Sequence, residues 1–372
     1  MKNVAIVLGT RPEIIKLAPV IFRLRASKRL APIVISTGQH REMASQVFSA
    51  FGLKPDIELA LMEQNQTPLG FLSRALASLE QTLVHPTTPY CGVIVQGDTT
   101  TALAGALSAF HLGLPLAHVE AGLRTYRLDS PFPEEMNRTV ISRLGDLHFA
   151  PTTLAGKQLS EEKVSGEVFV VGNTVVDALQ WMNQRLSANG CELDLQLNPL
   201  ALERKRYVLV TGHRRENFDL PLRNLCDVLL QLVETIPDLH IVYPFHLNPN
   251  ISNVVQARLG GQAKIHLLRP VNYATTLYLL KNASLVISDS GGIQEEAPSF
   301  RKFVLVTRNT TERPEAIAAG FAKLSPLDQP DALFQAAQDY LTRSQAAPGG
   351  PNPFGDGTAA EKIGSALENR WG

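Results

Sequence analysis

Short runs rich in valine, isoleucine and leucine recur along the whole chain, each followed by a stretch long enough for a helix. "NVAIVLG" (3–9), "APIVIST" (31–37), "CGVIVQG" (91–97), "LPLAHVE" (114–120), "GDLHFAP" (145–151) and "VFVVG" (168–172) lie in the first half. "YVLVTG" (207–212), "HIVYPF" (240–245), "KIHLL" (264–268), "SLVIS" (284–288) and "KFVLV" (302–306) lie in the second. A strand that is apolar throughout must be covered on both faces. Alternation of such strands with helices is the pattern of a parallel sheet between two helical layers. The expected fold class is α/β and doubly wound.

With 372 residues the chain has room for about two domains at roughly 150 residues each. Its halves echo each other. "IVLGTRPE" (6–13) and "LVTGHRRE" (209–216) are both a strand, a glycine turn and an Arg-Glu helix start. "VIVQGDTTTALAG" (93–105) and "LVISDSGGIQEEA" (285–297) are both a strand followed by Asp and small residues. We expect two Rossmann-like domains facing a central cleft, one over 1–175 and one over 176–358. A Pro/Gly-rich loop, "AAPGGPNPFGDGT" (346–358), precedes a last helix over 359–372, which is expected to cross back to the first domain.

Composition narrows the partners. Formal net charge is zero, which favours neither nucleic acid nor an anionic membrane. Three scattered cysteines (Cys91, Cys191, Cys226) do not make a disulfide framework and suit a reducing cytoplasm. No Cys-x-x-Cys and no histidine pair at ligand spacing is present, so no metal is expected. The start "MKNVAIVLGTRPE" is too short in apolar residues for a signal peptide. The least polar stretch, "TALAGALSAFHLGLPLA" (101–117), is too short to span a membrane and reads as a buried helix and then a strand.

Doubly wound sheets bind ligands beyond the carboxyl ends of their strands. The informative motifs all sit there. No Gly-x-Gly-x-x-Gly follows a strand and no Walker loop is present, so the ligand need not be NAD or a tripolyphosphate, and no cofactor is expected. In "SDSGGIQEEA" (288–297), Ser290 can cap a helix, and Gly291 and Gly292 let backbone N–H groups approach a diphosphate. A carboxylate one turn on, at Glu295 or Glu296, suits vicinal hydroxyls such as those of a ribose; its plainer reading is a favourable helix-dipole charge. "GTRPEIIK" (9–16) places Arg11 and Lys16 at the mouth of the first strand, where both can meet an anion. "QGDTTTA" (96–102) presents Asp98, "HVEAGLRT" (118–125) presents Glu120, and "SPFPEEMNR" (130–138) adds Glu134, Glu135 and Arg138. Acidic groups converging on one cleft should repel and raise at least one pKa toward neutrality, giving a usable acid or base. Individually they could be helix caps or ion-pair partners. "TGHRREN" (211–217) brings His213 to the first strand end of the second domain, and "NTTERPEA" (309–316) adds Arg313. The remaining histidines are read as structural.

Taken together, "GTRPEIIKLAPV", "TGQHREM", "QGDTTTA", "HVEAGLRT", "PFPEEMNR", "VGNTVVDAL", "TGHRREN", "HLNPN", "SDSGGIQEEAP", "TTERPEA" and "NPFGDG" resemble the non-hydrolysing UDP-N-acetylglucosamine 2-epimerases over nearly the whole chain. Hydrolysing relatives carry Arg-Ala-Asp where this chain has Arg-Pro-Glu. The resemblance implies the glycosyltransferase-B fold. It implies catalytic roles for Asp98, Glu120, Glu134 and His213. It implies UDP contacts from Arg11, Lys16, Ser290, Gly291, Gly292, Glu296 (on the ribose) and Arg313, and a contact to the reacting sugar from Arg138. Some members bind a second UDP-GlcNAc as activator, and Gln39, Arg214 and His246 match that site. A homodimer and a role in surface polysaccharide supply follow from the family alone.

The chemistry explains these residue types. The C2–H of an N-acetylhexosamine is not next to a carbonyl, so simple deprotonation fails. Oxidation at C3 would need NAD, whose fingerprint is missing. Loss of UDP from C1 with the C2 proton gives 2-acetamidoglucal, and UDP then re-adds with a proton from the opposite face. Two proton-transfer groups and a cationic cradle for the departing diphosphate are needed. The competing expectations are a UDP-sugar glycosyltransferase, a hydrolysing epimerase, and a catalytically silent nucleotide-sugar sensor.

Overall fold

The computed structural model describes residues 1–38, 41–63, 66–84, 89–129, 131–188, 192–212, 219–342 and 348–372, with 41–43 as backbone only. The chain divides into two compact units, Met1–Trp181 with Phe354–Gly372, and Met182–Pro353. The division falls between Trp181 and Met182.

The first unit contains β1 (Lys2–Leu8), α1 (Arg11–Arg25), β2 (Leu30–Ser36), α2 (Arg41–Ala50), β3 (Ile57–Glu58), α3 (Pro68–Leu83) and β4 (Tyr90–Gln96). It continues through α4 (Thr100–His111), β5 (Leu116–Val119), α5 (Glu134–Leu144), β6 (Leu147–Ala150), α6 (Thr153–Glu161), β7 (Glu167–Val170) and the start of α7 (Thr174–Ser187). Its seven strands are ordered β3-β2-β1-β4-β5-β6-β7, all parallel. Order reverses between β1 and β4, the place where doubly wound sheets bind ligands. Val4 to Leu8 and Val93 to Val95 are fully buried, as strands covered on both faces must be.

The second unit contains β8 (Arg206–Thr211), α8 (Leu220–Thr235), β9 (Leu239–Pro244), α9 (Pro249–Leu259), β10 (Ile265–Leu268), α10 (Tyr273–Asn282) and β11 (Leu285–Ser288). Then come α11 (Gly291–Glu296), β12 (Val304–Val306), α12 (Pro314–Ala318), β13 (Ala322–Leu324) and α13 (Pro330–Thr342). The strand order is β10-β9-β8-β11-β12-β13, again all parallel. Here the reversal lies between β8 and β11. Leu229, Leu232, Tyr243 and Leu333 are among the side chains filling its core.

The last helix, α14 (Ala359–Trp371), belongs to the first unit. Arg23 of α1 donates to Glu361 at 2.7 Å and grips Glu368 with both terminal nitrogens at 3.2 and 3.0 Å. Among the described residues, no helix is long and apolar enough to cross a membrane.

Candidate active site

In the first unit the β4–β5 register pairs Gln96 with Val119. The next residues of both strands therefore emerge side by side, and these carry Asp98 and Glu120. Arg138, on the second turn of α5, donates to the Asp98 carboxylate and also lies 3.4 Å from Glu135. Lys16, on the second turn of α1, is ion-paired to Glu120, and both are buried. The expected acidic cluster is thus not left to mutual repulsion. Asp98 and Glu120 each carry a cation of their own.

Backbone geometry marks Glu120 further. Its φ is +66°, the left-handed region that a side-chain-bearing residue occupies only at a cost of about 1 kcal/mol or more. The following loop is pinned by Arg124, which forks onto Glu162 at 2.7 and 2.8 Å and reaches Ser142 at 2.9 Å.

The turn bearing Asp98 is held from three sides. Asn137 donates to the Asp98 carbonyl at 2.8 Å. The ring of His118 donates from Nε2 to the Gly97 carbonyl at 2.8 Å, since a carbonyl can only accept. Burial pushes the pKa of His118 down to about 3, so the ring is neutral. The third hold is Glu13. One of its oxygens accepts from the backbone N–H of Gly9 (3.1 Å) and Thr10 (2.7 Å), and the other from the Thr99 hydroxyl (2.7 Å). Glu13 thereby ties the loop after β1 to the loop after β4 across the switch point. Its burial raises its pKa, against the lowering effect of those hydrogen bonds. Glu13 and His118 were given no role from sequence. A capping-box spacing, Thr10-x-x-Glu13, is the signal that could have found the first.

In the second unit α11 begins at Gly291, directly after β11. Ser290 occupies the cap position, but its hydroxyl makes no capping bond, contrary to expectation. A Cβ on Gly291 would lie 2.9 Å from the Arg313 guanidinium carbon, so only glycine leaves that guanidinium its place. Arg313 is held by Glu295 (2.9 Å from Nε) and by Glu312 (3.4 Å). Glu312 in turn pairs with Arg308 at 2.8 Å. Glu295 therefore serves as an ion-pair partner, beyond any helix-dipole role. Glu296 accepts from the Tyr273 hydroxyl at 3.0 Å. The unit thus offers a bare glycine turn, a braced arginine and an oriented carboxylate at one strand end.

A profile of the UDP-N-acetylglucosamine 2-epimerase family matches residues 23–368. The chain belongs to that family. It is 42% identical to the UDP-N-acetylglucosamine 2-epimerase of Escherichia coli (strain K12), with 99% of this chain and 98% of that one covered. It is 40% identical to the enzyme of the same name from Campylobacter jejuni, covering 98% and 96%. Its fold is similar, at a TM-score of 0.92 and 38% identity over the whole of both chains, to the crystal structure of UDP-GlcNAc 2-epimerase from Neisseria meningitidis bound to UDP-GlcNAc.

Of the residues expected from the epimerase pattern, Asp98, Glu120, Lys16 and Arg138 form the two ion pairs just described. Arg11 is the first residue of α1 and Glu134 the first of α5. Ser290, Gly291, Gly292, Glu296 and Arg313 gather in the second unit. His246 is exposed beyond β9 and accepts from the Asn248 N–H at 3.0 Å. His213, Gln39 and Arg214 lie outside the described residues, as does Cys191. Among the described residues, no three His, Cys, Asp or Glu side chains are placed to hold a metal ion.

Proposed function

We propose that this chain inverts C2 of UDP-N-acetylglucosamine, giving UDP-N-acetylmannosamine, by elimination and re-addition of UDP. The observation that carries this reading is the pair of cation-held carboxylates, Asp98 with Arg138 and Glu120 with Lys16, at adjacent strand ends. One carboxylate takes the C2 proton. The C–H electron pair becomes the C1–C2 double bond of 2-acetamidoglucal, and the C1–O bond breaks with its electrons leaving on UDP. In the second half, the UDP oxygen attacks C1 and a proton reaches C2 from the opposite face. Two positioned proton-transfer groups fit this need. Glu134 is the third candidate at the same end of the first unit. In the second unit, the Gly291–Gly292 turn and Arg313 take the diphosphate, and Glu296 takes the ribose. The product is an activated N-acetylmannosamine, a donor for polysaccharide assembly.

Positional isotope exchange tests the C1–O step. UDP-N-acetylglucosamine carrying ¹⁸O in the C1–O–P bridge should scramble label into the non-bridging β-phosphate oxygens. Retention of all label in the bridge during turnover would rule out the elimination.

A further inference from the structure

Two motifs found in the sequence, "VGNTVVDAL" (171–179) and "NPFGDG" (352–357), have no part in the chemistry above. The first unit brings 171–179 together with 354–357, the part of the second motif that belongs to it. Gly172 has φ +97° and Gly355 φ +132°, and a Cβ on Gly355 would lie 3.2 Å from the Gly172 Cα. Two glycines back to back let the strands of chain touch. The N–H of Asn173 then donates to the Phe354 carbonyl at 2.6 Å. Asn173 is 2% exposed and stands just before α7.

Its side chain has one orientation open to it. Oδ1 accepts the Val175 N–H at 3.0 Å, which leaves Nδ2 to donate. Nδ2 donates to Glu120 at 3.2 Å, on the same carboxylate oxygen that Lys16 holds. Lys16 comes from α1, and Asn173 from the approach to α7.

We propose that Asn173 is a positioning residue for Glu120, fixed by Val175 and the Phe354 carbonyl so that its amide holds the Glu120 carboxylate in its ionised form and in one orientation. This rests on Glu120 being one of the proton-transfer groups. A hydrogen bond donated to a carboxylate favours the charged form, so its loss raises the pKa. The two motifs are then the mounting of a catalytic carboxylate.

Asn173→Asp tests this. It keeps the oxygen that accepts Val175 and replaces the donor with a charge repelling Glu120. The readout is carboxyl ¹³C NMR of protein labelled with [δ-¹³C]glutamate, with Glu120→Gln assigning the resonance, alongside the pH profile of kcat. The titration midpoint of Glu120 should rise by about one unit or more, with kcat at neutral pH down about tenfold and KM near the wild-type value. Should Asn173→Asp not fold, Asn173→Ser keeps an acceptor for Val175 and is read the same way. A midpoint and profile unchanged from wild type would overturn the role. A raised midpoint in a protein that does not turn over UDP-N-acetylglucosamine would uphold the Asn173–Glu120 link while removing the epimerase reading.

Discussion

Lys16 and Glu120, separated by 104 residues in sequence, form a buried ion pair at the carboxyl end of the first sheet. The arrangement commits α1 and β5 to one geometry and leaves a carboxylate ready for proton transfer.

Lys16→Met should therefore destabilise the fold strongly. Removing one partner of a buried pair leaves the other charge uncompensated, at about 3–5 kcal/mol. Urea unfolding at pH 7 measures this. A loss well under 1 kcal/mol would show that the pair is open to water.

Asp98→Asn should separate chemistry from binding. The amide keeps the shape but cannot accept a proton, so kcat should fall by about 10²–10⁴. UDP affinity by calorimetry should stay near wild type, because the glycine turn and Arg313 lie in the other unit. An equal loss of both would place Asp98 in nucleotide binding.

Gly291→Ala should act on the nucleotide. The added methyl meets the Arg313 guanidinium at 2.9 Å, and Glu295 and Glu312 hold that guanidinium in place. UDP affinity should fall about tenfold or more, roughly 1.4 kcal/mol. An unchanged affinity would mean that Arg313 does not contact the diphosphate.

His118 predicts a pH dependence of stability. Its pKa is lowered from 6.5 to about 3 by burial. The unfolded chain binds the proton first, so stability is complete above pH 6.5 and is lost as pH falls toward 3. The slope from this one group approaches about 1.4 kcal/mol per pH unit within that window. His118→Gln retains an N–H for the Gly97 carbonyl and should flatten the slope between pH 6.5 and 5. Parallel curves for the two proteins would show that His118 does not contribute.

The two sheets were legible because their central strands are apolar runs of β-branched residues. β3 and β13 were not, because two- and three-residue edge strands such as Ile57–Glu58 and Ala322–Leu324 leave no periodic signal. Asp98 and Glu120 could be singled out because charged residues at strand ends stand out against apolar surroundings, and Arg138 because it follows the proline-bounded start of α5. Their pairing could not be, since Lys16 meets Glu120 only through the strand order. Asn173 reaches Glu120, 53 residues away, and His118 reaches the Gly97 carbonyl, 21 residues away, and neither contact leaves a signal in the sequence.

The most direct test is proton NMR of the purified protein with UDP-N-acetylglucosamine in D₂O, with no cofactor added. The account predicts loss of the C2 proton signal to deuterium and a second anomeric signal from the manno epimer, with the nucleotide still attached at equilibrium. Epimer appearing with its C2 proton retained would contradict proton abstraction by these carboxylates, and an unchanged spectrum would contradict the epimerase reading itself.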